Sequence, residues 1–306
     1  MLVLTIPWIL LLLFVFVCLF LFFKKWKCTL AVVILWFFIN SWFKCFSLNL
    51  GVQEKGIDSR KIKVLAFNVD GKKGKLIHKS DKLLSLLNRI SPDIIFFSEF
   101  GESEVLSVDS LLRKTYPYTT FDLKGYNHYF YSKFPIISHV KLRSYDDCVL
   151  RVYTCKIKID ADTIGLIGCH LASNNYPYDM PVMNAESIHT VSDFESYMDN
   201  IDAAYKRRHK DAMAICENIR QTPYPIILLG DINDVCGSAT IRTIEKEGLK
   251  DAWWEGGFGY GATIHKPVPY RIDHIFYSKE FVLQSVKVIE SGGISDHDAI
   301  FAQFSM

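Results

Sequence analysis

The chain has 306 residues, half of them hydrophobic, with 35 basic and 33 acidic residues. So many aromatic and β-branched residues exclude a disordered chain, and the near balance of charge excludes nucleic-acid binding driven by a global basic excess. Eight cysteines are too sparse for a disulfide scaffold.

Residues 1–50 hold no Asp or Glu, and their only basic residues are Lys24, Lys25, Lys27 and Lys44. Residues 1–23 are an unbroken apolar run, and a spanning helix needs about 20 such residues. Lys24, Lys25 and Lys27 follow, then a second run over Thr29–Phe43 that reaches spanning length if extended through Phe46 and Leu48. A cleaved signal peptide would carry positive charge before a shorter apolar core, and this run begins with none. The segment is therefore expected to form a two-helix membrane hairpin over residues 1–48. One spanning helix followed by an interfacial segment is the alternative. The positive-inside rule puts the lysine loop in the cytoplasm and the domain that follows on the exocytoplasmic side. The more dispersed Lys55, Arg60, Lys61 and Lys63 pull the other way.

Residues 49–60 read as a polar linker, and 61–306 as one domain. Strands are expected at Ile62–Asn68, Ile94–Phe97, Tyr129–Ser132, Ile136–Leu142, Val149–Ile159, Thr163–His170, Pro225–Gly230, Arg271–Tyr277, Val282–Ile289 and Ala299–Phe304. Leu83, Leu84, Leu86, Leu87 and Ile90 have helical spacing over Lys79–Ile90, and a long polar helix is expected from about Ala185 to Arg220. Strands mixed with helices point to a layered α/β or α+β fold.

Apolar strands end repeatedly in carboxylates, amides or imidazoles: AFNVDG (66–71), FFSEF (96–100), IGCHLAS (167–173), LLGDIND (228–234) and YRIDHIF (270–276). GISDHDAI (293–300) places such groups just before the last strand. Strand residues i and i+2 face the same way, so Asp231 pairs with Asn233, and only one of Asp273 and His274 faces a given site. Side by side, such strand ends form one oxygen-rich cleft, suited to Mg²⁺, Mn²⁺ or Ca²⁺ rather than Zn²⁺. Neither a P-loop nor a GxSxG elbow is present. Carboxylates, a divalent cation and a His base suit phosphoester hydrolysis.

FNVDG, SEF, GDIND, RIDHIF and SDHDAI, in this order, resemble the endonuclease/exonuclease/phosphatase superfamily, as YSKFPI (131–136) resembles its S-R-x-P-I strand. The resemblance runs from Lys61 to the C-terminus. It implies a four-layer α/β (α+β) sandwich, two mixed β-sheets face to face with helices outside, and a Mg²⁺- or Mn²⁺-dependent phosphodiesterase. By the same resemblance Glu99, Asn68 and Asp296 hold the metal, and His297, oriented by Asp273, is the general base. Asp231 orients the water or protonates the leaving oxygen, and Asn233 and His170 stabilise charge on phosphorus. Asp70 matches only the apurinic-site endonuclease branch, as a metal or phosphate ligand; its plain alternative is a turn residue before Gly71. Ser98 stands where most relatives have Gln. His274 is expected to face away and pack, and His78, His128, His139, His189, His209 and His265 lack any motif.

The substrate is expected to be a nucleic acid or a phospholipid headgroup, with the bilayer the only other partner. Tyr176, Tyr178, Tyr260 and Arg271 are expected at the rim of the cleft, where aromatic groups stack bases or dip into headgroups. Lys72, Lys73 and Lys75, and Lys206, Arg207 and Arg208, are either phosphate contacts or solvated surface. A non-catalytic binding protein on the same fold would show erosion of the polar set, and every core position is filled.

Overall fold

The structure, a computed structural model, describes residues 2–49, 60–70, 79–121, 127–142, 151–174, 190–265 and 268–306. The two apolar runs are helices, α1 (Leu2–Phe22) and α2 (Trp26–Phe43). At 1.5 Å per residue, α1 is about 31 Å long, the thickness of a bilayer's hydrocarbon core. The helices pack against each other, and Trp36 Nε1 donates to the Leu10 carbonyl at 3.0 Å. Leu12, Phe14, Phe22, Leu30 and Phe38 are exposed, the reverse of a helix in a water-soluble core. Both helices are long and apolar enough to cross a membrane.

The domain contains β1 (Ser47–Leu48), β2 (Lys61–Asn68), α3 (Ser80–Ile90), β3 (Ile94–Ser98), α4 (Glu102–Leu112), β4 (Tyr118–Thr119), β5 (Tyr129–Ser132), β6 (Ile136–Lys141), β7 (Val152–Ile159) and β8 (Asp162–His170). After them come α5 (Val191–Gln221), β9 (Ile226–Asp231), α6 (Ala239–Glu245), β10 (Lys250–Asp251), α7 (Ala252–Gly256), β11 (Phe258–Gly259), β12 (Asp273–Tyr277), β13 (Val282–Ile289) and β14 (Ala299–Ser305). They form two six-stranded mixed sheets, ordered β13-β14-β2-β3-β5-β4 and β10-β12-β9-β8-β7-β6. The central strands β2, β3 and β9 are nearly continuous apolar runs because both faces are covered. One face of each sheet meets the other across a core that includes Val64, Phe96, Phe130, Leu166, Leu229 and Ile300. The outer face of the first sheet is covered by α3 and α4, through Leu83, Leu87, Val105 and Val108. The outer face of the second is covered by α5 and α6, through Ala212, Ile215, Ile241 and Ile244. This is the expected four-layer sandwich.

The helical hairpin is stitched to the domain. β1 pairs antiparallel with β11, Ser47 Oγ donates to the Gly257 carbonyl at 2.7 Å, and Asn49 Nδ2 donates to the Trp254 carbonyl at 2.7 Å. The chain therefore joins the domain by Ser47, and the rest of the expected linker, 50–59, lies outside the described residues. Lys44 pairs with Glu245 at 2.8 Å, and Arg242 lies over the Trp42 ring at 5.0 Å. Gly237, at φ +74°, packs so closely on Phe43 that a Cβ there would lie 2.6 Å from its ring.

Candidate active site

Pairing register assembles the site. β8 and β9 run parallel with His170 opposite Asp231, and β9 and β12 run antiparallel with Asp231 opposite Asp273. In the other sheet, β2 and β3 run parallel with Asn68 opposite Ser98, which places Asn68 and Glu99 at adjacent strand ends. Where the sheets meet, Phe96 fills the space in front of Gly230; a Cβ there would lie 2.1 Å from the Cys169 carbonyl oxygen and 2.9 Å from the Phe96 ring. Glycine at this position, with φ +133°, lets the two sheets close up beneath the site.

Bonds at the strand ends join both sheets. Asn68 Nδ2 donates to Asp231 Oδ2 at 3.0 Å and lies 3.4 Å from Glu99 Oε1. His170 Nε2 lies 3.4 Å from Glu99 Oε1 and 3.7 Å from Asp231 Oδ2. His297 Nδ1 bonds Asp273 Oδ2 at 2.9 Å, and its Nε2 stands 4.0 Å from Asp231 Oδ2. Asp231 Oδ1 accepts from the Asn233 backbone N–H at 2.8 Å, and Asn233 Nδ2 donates to the Leu171 carbonyl at 3.0 Å. Thus Asn68, Glu99, His170, Asp231, Asn233, Asp273 and His297 converge. A model of the endonuclease/exonuclease/phosphatase family matches residues 65–297, most of the chain.

The chain belongs to the endonuclease/exonuclease/phosphatase family.

No curated protein matches it in sequence. Solved structures share its fold. TDP2 from Caenorhabditis elegans superposes with a TM-score of 0.59 at 19% identity, over 81% of this chain and 75% of that one. D. rerio TDP2, complexed with a single-strand DNA product, gives 0.62 at 17%, over 80% and 99%. Beta toxin from Staphylococcus aureus gives 0.52 at 17%, over 79% and 99%.

Asp296, expected on the metal, directly precedes His297, is exposed, takes a 3.3 Å hydrogen bond from Ser295 Oγ and acts on the His297 imidazole through its charge. Other expected site residues lie elsewhere. The Asp70 N–H donates to Asn68 Oδ1, which is the geometry of a turn. Arg271 is not at the rim: it is fully buried, paired with Asp251 at 2.7 Å and with His274 Nδ1 at 2.9 Å, because a neighbouring buried carboxylate draws it inward. Tyr260 is half-buried against Phe46, ring centroids 5.4 Å apart, where the helical hairpin meets the domain. Tyr176, Tyr178, Lys72, Lys73 and Lys75 lie outside the described residues. Arg207 and Arg208 are not solvated surface: they are buried and paired with Asp211 at 3.0 Å and Asp234 at 3.4 Å. His274 is turned away from His297 and bonds the Asp234 carbonyl through Nε2 at 3.2 Å.

Sequence reasoning missed His128. It is buried, accepts from the Glu99 N–H at 3.4 Å and packs edge-on against His170, centroids 5.1 Å apart. It also missed Thr263, whose Oγ1 accepts the Ile272 and Asp273 N–H groups and so sets the start of β12. Neither residue stands in a motif, and only the sandwich brings them to the site.

Electrostatics follow from crowding. Burial, and next the Asp273 charge, lift the Asp231 carboxyl to about 7. Burial opposes charge on His297, but Asp273, with help from Asp231 and Asp296, lifts its imidazole to about 10. Asp231, Asp273 and His297 lie close enough together to hold a metal. Yet Asp273 Oδ2 and His297 Nδ1 are spent on each other, so the trio reads as a proton-handling network. Glu99 lies at the more open side of the group and offers a carboxylate there. A carboxylate oxygen with further carboxylates close by fits a hard divalent cation.

Proposed function

We propose that this family member is a membrane-anchored phosphodiesterase that depends on Mg²⁺ or Mn²⁺ and acts as an endonuclease-like hydrolase. The observation that carries the reading is the His297–Asp273 pair at 2.9 Å, set beside Asp231 and facing Glu99 across His170. A cation held by Glu99, with Asn68 and Asp296, would neutralise phosphate charge and polarise phosphorus. Asp273 fixes the imidazole orientation, and His297 takes the proton of the attacking water. Asp231, with its carboxyl near 7, is suited to give a proton to the leaving oxygen. Asn233 Nδ2 and His170 donate hydrogen bonds to the charge that builds on the phosphoryl oxygens.

The fold shared with a TDP2 bound to single-strand DNA supports a nucleic-acid substrate. A lipid phosphodiester is the second reading. In its favour, Tyr270, three residues before Asp273, donates its hydroxyl to the Leu4 carbonyl of α1 at 3.4 Å, so that wall of the cleft adjoins the anchor.

The test uses the full chain in detergent micelles with Mg²⁺ or Mn²⁺. Its substrates are single-stranded and plasmid DNA, RNA, bis-p-nitrophenyl phosphate, and mixed micelles of sphingomyelin or phosphatidylcholine. Cleavage of nucleic acid with inert lipids supports the first reading, and the reverse supports the second. Glu99→Gln should lose on the order of 10²-fold or more in rate, because a catalytic metal contributes several kcal/mol. Full activity of that variant, or in excess EDTA, would refute metal dependence.

A further inference from the structure

Two cysteines 191 positions apart meet where the anchor joins the domain. Cys45 follows α2, and Cys236 follows the Asp231–Asp234 segment. Their Sγ atoms are 3.1 Å apart, and both side chains are buried in an apolar cluster with Ile6 and Leu10. A disulfide has S–S of about 2.05 Å, so bonding needs the two sulfurs to approach by about 1 Å more. Among the described residues these are the only two thiols in hydrogen-bonding contact with each other; Cys169 and Cys216 donate to backbone carbonyls, Cys155 is buried, and Cys18 and Cys28 are exposed.

A buried cation acts on the pair through its charge. Arg271 gives Nη1 to Asp251, while its Nε and Nη2 are buried without a hydrogen bond among the described residues. A guanidinium with unspent donors favours an anion beside it. The Cys45 thiol and the Arg271 charge together hold the Cys236 thiol below its ordinary value, although burial opposes them. The thiolate is the form that attacks a disulfide.

We propose that Cys45 and Cys236 are the site of a disulfide that staples the membrane hairpin to the catalytic domain. The oxidant is a low-molecular-weight disulfide. Before the hairpin seats, the Cys45 thiolate attacks that disulfide, forming a mixed disulfide and releasing one small thiolate. Seating then carries Cys45 to Cys236, whose thiolate attacks the Cys45 sulfur and expels the second small thiolate. Two protein thiols are oxidised, one small disulfide is reduced to two thiols, and the two protein protons pass to the released thiolates. The closed bond lies inside the cluster, shielded from reductants. This chemistry does not depend on which phosphoester the domain cleaves.

The full chain is folded into detergent micelles in the presence of oxidised glutathione, denatured in iodoacetamide, digested without reductant and read by mass spectrometry. The expected result is a linked peptide pair carrying Cys45 and Cys236, two hydrogens lighter than the separate reduced peptides and lost on adding dithiothreitol. The oxidised chain should melt on the order of 5 °C or more above the reduced chain, because the bond closes a very long loop. Cys45→Ser and Cys236→Ser should each abolish that redox-dependent shift. If both peptides are instead recovered singly alkylated from the wild-type chain, or linked to other cysteines and not to each other, the proposal is overturned.

Discussion

Glu99 and Asn233 both have φ of 54°, and Asp70 has φ of 41°. Non-glycine residues in the left-handed region cost of order 1–3 kcal/mol each and persist where surrounding bonds over-determine them. The Asn233 N–H bonded to Asp231 Oδ1, and its amide bonded to Leu171, are such bonds. For Glu99 and Asn233 the strain turns the side chain out of the strand alternation and into the cleft. The i, i+2 rule therefore finds Asn233 but misstates how it gets there. At the same scale, His297→Ala and the double variant His297→Ala/Asp273→Ala should show nearly equal residual hydrolysis, since groups acting as a unit are non-additive. Losses that multiply in the double variant would show that the two act separately. A second prediction concerns pH. Asp273 lifts the His297 imidazole to about 10, so Asp273→Asn should make that imidazole titrate at lower pH when followed by NMR, while the rate of hydrolysis falls. A His297 titration that stays put, or moves up, contradicts the assignment.

At the scale of elements, the periodic ones were legible and the buried charges were not. The leucines of α3 and the apolar runs of β2, β3 and β9 announce themselves by spacing alone. α4 did not, because its apolar positions are interrupted by Glu104, Ser107 and Asp109 and it buries its inner face only when laid on the first sheet. α5 reads as a polar helix, yet Arg207 and Arg208 are buried; Arg207 pairs with Asp211 one turn on, whereas Arg208 pairs with Asp234, a partner that no local pattern encodes. The Asp251–Arg271–His274 cluster is of the same kind. It lies behind the active strand, where β10 meets β12. Burial would raise the Asp251 carboxyl, but Arg271 and then His274 outweigh it and hold it well below the usual carboxylate range. Because the folded value is depressed, the stabilisation is complete above the ordinary carboxylate range and fades as pH falls through the folded value. Asp251→Asn should cost on the order of 3–5 kcal/mol near neutral pH, since it leaves Arg271 buried without its counter-charge. In urea titrations the gap between wild type and variant should narrow as the solution is made strongly acidic. A gap that is constant with pH would remove the ion pair as its cause.

For the molecule as a whole, the junction decides how the parts stand. The Leu4 end of α1 and the Phe43 end of α2 both meet the domain, so the Lys24–Lys27 loop lies at the far end of the hairpin. If both helices span a membrane, domain and loop are on opposite sides, and the positive-inside rule puts the domain outside the cytoplasm. A cysteine at the exposed Lys287, in a chain with Cys18, Cys28 and Cys148 replaced by serine, should react with a membrane-impermeant maleimide on intact cells. Labelling only after lysis would place the domain in the cytoplasm. By itself the sequence determined the apolar hairpin, the layered fold and the strand-end residues of the site, because each is written in local periodicity or in a short ordered motif. Tertiary structure alone decided that Arg271 is a buried counter-ion, that Tyr260 packs against Phe46 beyond the helical hairpin, that His128 supports Glu99, and that Cys45 meets Cys236. Those outcomes depend on which surfaces come together across long stretches of chain, and on buried charges and thiols taking whatever partner the fold brings within reach.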